Sequence, residues 1–216
     1  MDASAGYSSP ATTIAARGQI KLVAGVVAMT VVVQLAVLAA DLGFGIDNYD
    51  LLRDPNAVAG QPNYVGIVSN LGIVLWMVGA VSALQAAAVL RARGGGGLCR
   101  LLAAGGAFAA LMGIDDFLML HESVATAGIP EPVVLLPHAV LLALLCALAV
   151  RMRHATPVLA LAACVACLGL SLVVDMFSPG FGGEVFVEES FKLAAIALLA
   201  AYLAVTAHRA LIRPDL

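Results

Sequence analysis

Six long apolar runs alternate with short polar stretches along this chain. They cover residues 21–40, 64–90, 98–120, 133–150, 156–177 and 185–207, separated by residues 41–63, 91–97, 121–132, 151–155 and 178–184. Each run is about the ~20 residues that a helix needs to cross the hydrocarbon of a bilayer. The pattern predicts an all-α integral membrane helical bundle of six transmembrane helices. Residues 1–20 are small and polar, with Ser4, Ser8, Ser9 and Pro10, and are expected to form a disordered cytoplasmic tail. The bundle then takes residues 21–208 as a single domain, and residues 209–216 form a second short tail. Residues 94–97 are four glycines. They read as a plain flexible turn, because a phosphate-binding loop would carry a Lys-Ser/Thr pair and a following amphipathic helix.

Composition supports lipid as the solvent. Of 216 residues, 62% are hydrophobic and 12% charged, and the mean hydropathy is +1.01. A water-soluble domain of this length has too little interior to hide that much apolar surface. The N-terminal stretch lacks a short apolar core followed by a small-residue cleavage site. A cleaved signal peptide is therefore not expected, and the first apolar run should serve as the insertion signal. Cys99, Cys146, Cys164 and Cys167 all fall in or beside apolar runs, which argues against a secreted disulfide framework. Cys164 and Cys167 form a CxxC, but no second pair completes a zinc site. They read as small buried hydrophobes.

Charge placement orients the chain. Arg17, Lys21, Arg91, Arg93, Arg100, Arg151, Arg153, Arg209 and Arg213, nine of the 11 basic residues, share one side if there are six spans. Arg53 and Lys192 are the exceptions. Basic loops stay cytoplasmic, so both termini are expected inside (N-in/C-in), in a multi-pass protein of the cell membrane. Acidic residues do the reverse. Of the 14, only Asp2 and Asp215 fall on the inner side. Asp41, Asp47, Asp50, Asp54 and Glu131 read as solvated loop residues.

The remaining charges lie inside the spans. Span three carries Asp115 and Asp116 and ends on His121 and Glu122. At 100° per residue, Asp115 and Glu122 fall almost on one face, near Met112 and Met119, with Asp116 and His121 flanking them. Span four carries His138 directly after Pro137, which removes a backbone donor and loosens the helix. Span five carries Ser171 and Asp175 at i, i+4. Span six opens with Glu184, Glu188, Glu189 and Lys192, of which Glu184, Glu188 and Lys192 share a stripe. Thr30, Gln34, Asn63, Ser69 and Asn70 add neutral polar groups at similar depth, whereas the inner halves are nearly pure Ala, Val, Leu and Gly.

Each residue also has an ordinary structural role. Glu188 and Lys192 can pair within one helix, His138 can bond a neighbouring helix, and Asp175 can bond Ser171. Together, however, Asp115, Asp116, Asp175, Glu188 and Glu189 set five carboxylates against one internal cation, Lys192. Protons or a bound cation must neutralise such a cluster. Mixed carboxylate and imidazole ligands suit a divalent transition metal, namely zinc, iron or manganese. The candidate ligands are Asp116, His121, Glu122, His138, Asp175 and Glu188. The spacing matches neither His-Glu-x-x-His nor the Glu-x-x-His pairs of di-iron bundles.

Three segments carry a resemblance. They are Gly66-x-x-Ser69-Asn70-x-Gly72-x-x-x-Trp76, Asp115-Asp116-x4-His121-Glu122 and Glu188-Glu189-x2-Lys192. The chain resembles a recurring group of uncharacterised bacterial and archaeal polytopic membrane proteins, which implies a fold and a site but no reaction. In chemistry it is also similar to the alkaline ceramidase-like superfamily of membrane hydrolases, which hold zinc with histidines and an aspartate beside a serine. Ser69, Asp116, His121 and His138 echo that set. Six spans stand where seven are usual, the closing His-x-x-x-His is missing, and Glu188 and Glu189 stand where histidines are expected.

Three functions compete. The first is a metal-dependent membrane enzyme acting on a lipid or other apolar substrate from the outer side, as a hydrolase or, with two metals, a di-iron oxidase. Asp115 or Glu189 would be the base, and Lys192 would orient a carboxylate or an anionic group. The second is a proton- or cation-coupled transporter, for which intramembrane Asp, Glu and His are typical. It would need a polar inner path, and many transporters also carry an internal repeat. Neither is visible here. The third is a non-catalytic accessory subunit. Haem is disfavoured, because His154 and His208 are on the inner side and only His121 and His138 remain. Scattered basic anchors give no support for nucleic-acid binding.

Overall fold

The computed structural model describes residues 16–48, 52, 55–120, 123–124, 128, 130–177 and 184–212. Among them every regular element is a helix. Six are long: α1 (Ala16–Phe44), α2 (Ile67–Ala92), α3 (Gly97–Leu118), α4 (Glu131–Arg151), α5 (Val158–Met176) and α6 (Glu184–Ile212). The last five are long and apolar enough to cross a membrane, and in α1 the corresponding apolar stretch is Thr30–Phe44. The chain is thus a helical, multi-pass membrane protein by the length and composition of its helices. α1 starts at Ala16, inside the stretch expected to be a tail, where Ala16, Arg17 and Gln19 are good helix formers.

The chain divides into two units, Met1–Val65 and Gly66–Leu216. In the first, α1 is closed by backbone bonds from Gly45 to Asp41 and from Ile46 to Ala40, and the Asn48 amide donates to Asp41 at 2.7 Å. A single helical turn, Pro55–Val58, follows, where the Asn56 amide donates to the Val65 carbonyl.

In the second unit, α2, α3 and α6 pack mutually, α4 lies on α3, and α5 lies on α6. Apolar side chains gain nothing by leaving lipid for protein, so helices there associate by close contact between small residues. Gly72 and Gly79 face α6, where a Cβ on Gly79 would stand 3.3 Å from the Ala200 Cα. Gly106 and Gly113, again seven apart, face α2. Ala80, Ala83, Ala86 and Ala87 extend that close approach, and Phe108, Leu101, Leu102, Leu199 and Leu203 fill the centre. Val74, Val78 and Val81 on α2 and Leu136 and Val140 on α4 stay exposed, as lipid-facing positions should.

Two chain reversals place the site. Between α2 and α3, Gly94, Gly95 and Gly96 hold φ of 109°, 77° and 127°, values that a Cβ would oppose. α3 then ends at Leu118, with Met119 in the left-handed region at φ 48° and its N–H on the Asp115 carbonyl. Helix ends commonly use this cap, but usually with glycine or asparagine.

Candidate functional site

Asp115 and Asp116 are adjacent on α3, so their side chains leave the helix 100° apart. The consequence is a division of labour: each serves a different helix interface. Asp116 points into the α2–α3–α6 junction. The Trp76 indole Nε1 donates to its Oδ2 at 2.9 Å, and the Lys192 ammonium stands 3.6 Å from its Oδ1. The Asp116 side chain is only 8% exposed. Both oxygens therefore face N–H donors, as a carboxylate withdrawn from water requires. Trp76 is itself held edge-on against Phe108, with ring centroids 5.8 Å apart and planes at 88°.

Asp115 faces α4. Its Oδ2 lies 3.8 Å from the Nε2 of His138, and both residues are buried, at 3% and 8% exposure. The other ring nitrogen of His138, Nδ1, lies 3.1 Å from the Val134 carbonyl. A carbonyl only accepts, so Nδ1 carries a proton. At 3.8 Å, Nε2 and the carboxylate are within ion-pair range but beyond hydrogen-bonding distance, and the buried Nε2 has no hydrogen-bond partner among the described residues.

Around Asp116 lies a narrow cleft of about 10 Å³, the size of a single water site, lined by Ser69, Gly72, Asp116, Glu189, Lys192 and Ile196. Glu188 does not line this cleft; the charge that acts on it most is that of Asp175, followed by Glu189, Lys192 and Glu184. Lys192 reaches across to Asp116 and makes an interhelical pair, whereas the sequence suggests an intrahelical pair with Glu188.

Residues 23–206 match a family model described as a domain of unknown function (DUF8692). The chain belongs to the DUF8692 family. No curated protein and no solved structure matches it.

In this DUF8692 chain the predicted site residues fall into three groups. Ser69, Asp116, Glu189 and Lys192 come together. Asp115 and His138 form a separate pair one helix interface away. Asp175 on α5 and Glu188 on α6 are near enough to interact electrostatically. Thr30 and Gln34 belong to the first unit. Among the described residues, no three His, Cys, Asp or Glu side chains gather closely enough to hold a metal ion. His121 and Glu122 lie outside the described residues. α3 itself stops at Leu118, with Met119 in the left-handed region.

Two features escape the sequence reading. Trp76 is the donor to Asp116, 40 residues away; the signal is an indole within an otherwise aliphatic span. The half of the bundle away from the acidic residues also holds more polar groups than its Ala-Leu-Val texture suggests. Thr156, Tyr202 and Thr206 are buried there, with the Thr206 hydroxyl donating to the Tyr202 carbonyl at 2.6 Å.

Proposed function

We propose that this is a six-span protein of the cell membrane, N-in and C-in, whose outward-facing site hydrolyses a lipid or other apolar substrate. Nine basic residues on one face of the topology support the orientation. The observation that carries the chemistry is the water-sized cleft where Ser69, Asp116, Glu189 and Lys192 meet. Glu189 is the general base. It takes a proton from the water as the water oxygen bonds to the substrate carbonyl carbon, and it returns that proton to the leaving oxygen or nitrogen as the scissile bond breaks. Lys192 stabilises the oxyanion that develops, and Ser69 orients the water or the carbonyl. Asp116, fixed by Trp76, holds Lys192 in place. The Asp115–His138 pair braces α3 against α4.

In the metal-dependent form of this reading, Asp116 and Glu189 would hold zinc, iron or manganese in the same cleft, with Lys192 displaced. Purified protein in nanodiscs, offered phospholipid esters with a fluorogenic acyl chain and acylated peptide amides, tests both forms. Turnover abolished by Glu189→Gln, with the fold intact, is the expected result. Chelator-resistant turnover selects the lysine form and chelator-sensitive turnover the metal form. Equal turnover by wild type and Glu189→Gln overturns the assignment.

A second reading, a proton-coupled transporter, draws on the buried Asp115–His138 pair. Its proton would have to cross the packed layer of Leu102, Leu145 and Leu199. Proton uptake into liposomes that is abolished by His138→Ala would favour it over hydrolysis.

A further inference from the structure

At the end of the molecule opposite the acidic site, α4 and α5 are joined by a short turn yet barely touch. Between them runs an open groove of about 290 Å³, lined by Cys146, Ala149 and Val150 from α4 and by Val158, Leu161, Ala162 and Val165 from α5. Every lining residue is apolar or a thiol. Neighbouring helices with so little mutual contact leave a slot that a flexible chain can fill.

The mouth of the groove is basic. Arg151 ends α4, and Arg153 and His154 follow in the turn, all three exposed. The Arg153 Nε donates to the His154 Nε2 at 3.2 Å, which leaves its terminal N–H groups for a ligand. Arg151 has no ion-pair partner among the described residues, and no Asp or Glu occurs anywhere in residues 132–174. Two exposed cations without a counter-charge among the described residues thus flank an apolar slot, Arg151 next in sequence to the lining residue Val150.

We propose that this groove is a binding site for one anionic phospholipid. Its acyl chain lies between α4 and α5, and its phosphate sits on Arg151 and Arg153. The phosphate supplies the missing charge in a geometry that a guanidinium matches with paired N–H donors. Basic residues at the cytoplasmic surface draw on anionic lipid in this way. The chain fills a lipid-exposed gap that would otherwise separate the two helices. This site is independent of the acidic cleft and of the hydrolytic reading.

Native mass spectrometry of the delipidated, full-length protein tests the proposal, using titration with phosphatidylglycerol or phosphatidylcholine of the same chains. Wild type should bind one phosphatidylglycerol saturably, in preference to phosphatidylcholine. Arg151→Gln/Arg153→Gln should weaken that binding by roughly thirtyfold, on the scale of one such contact per arginine. Ala162→Trp, at an exposed groove position, should block it with both arginines present. Inorganic phosphate alone should neither bind nor raise the melting temperature. Equal affinity for the two lipids, unchanged binding by Ala162→Trp, or stabilisation by phosphate alone would each overturn the assignment.

Discussion

Replacing Trp76 by phenylalanine removes one hydrogen bond and leaves most of the packing. The ring stays against Phe108, but the Nε1 donor to the Asp116 Oδ2 at 2.9 Å is lost. Between neutral partners in membranes such bonds average ~0.6 kcal/mol and reach ~1.7. A bond to an ionised acceptor is worth ~1.5–3 kcal/mol when its loss leaves the group unmet. The Asp116 side chain is 8% exposed and the cleft beside it has room for about one water, so little water is at hand to replace the indole and the upper regime applies. Trp76→Phe alone should cost about 2–4 kcal/mol, since the smaller ring also leaves a void. A double-mutant cycle with Asp116→Ala isolates the bond. The contact between Lys192 and Asp116 is absent from both Ala variants, so its loss cancels. The predicted coupling is about 1.5–2 kcal/mol, read from unfolding in mixed micelles titrated with denaturing detergent. Coupling below about 0.5 kcal/mol would refute the claim that Trp76 holds Asp116 in place.

Other consequences follow from the same geometry. Gly113→Ala would put a Cβ 2.5 Å from the Met77 Cε and 2.9 Å from the Trp76 Cβ. The methionine tip can move but the Trp76 Cβ cannot, so this variant should lose about 1–3 kcal/mol, whereas Gly169→Ala, in open space, should be neutral or stabilising; the same unfolding titration compares them. His138→Leu should cost about 3 kcal/mol by stripping Asp115 of its α4 partner, and Asp115→Leu/His138→Leu should recover at least half of that loss, because breaking a buried pair costs more than replacing both members. A double variant less stable than the single would contradict the pairing. Lys192→Met should lower stability and abolish turnover, while Glu188→Gln, on the Asp175 side, should leave turnover within about threefold (a ~0.6 kcal/mol effect).

Helix positions were legible because a membrane span writes its length in apolar residues. Span two was expected over residues 64–90 and runs Ile67–Ala92, and span four, expected over 133–150, runs Glu131–Arg151. The division of the acidic cluster was not legible. Two neighbouring aspartates point 100° apart, and a linear sequence does not say which helix stands in each direction. A common depth therefore reads as a common site, although Asp115 turns to α4 and Asp116 to α2 and α6. The early stop of α3 was equally hidden, since Met119 is a good helix former that here adopts a left-handed cap. Tyr202 and Thr206 are not legible in the sequence, because isolated polar groups in an apolar span leave no periodic trace.

The central claim is a water-accessible cleft on the outer face, and thiol labelling tests it most directly. In a background lacking the four native cysteines, Ser69→Cys and Glu189→Cys report the cleft and His154→Cys reports the opposite turn. A membrane-impermeant maleimide added to intact cells reacts only with thiols reached by water from outside. The account predicts labelling at positions 69 and 189 in intact cells, and at 154 only after permeabilisation. Labelling at 154 from outside, with 69 and 189 silent, would contradict it.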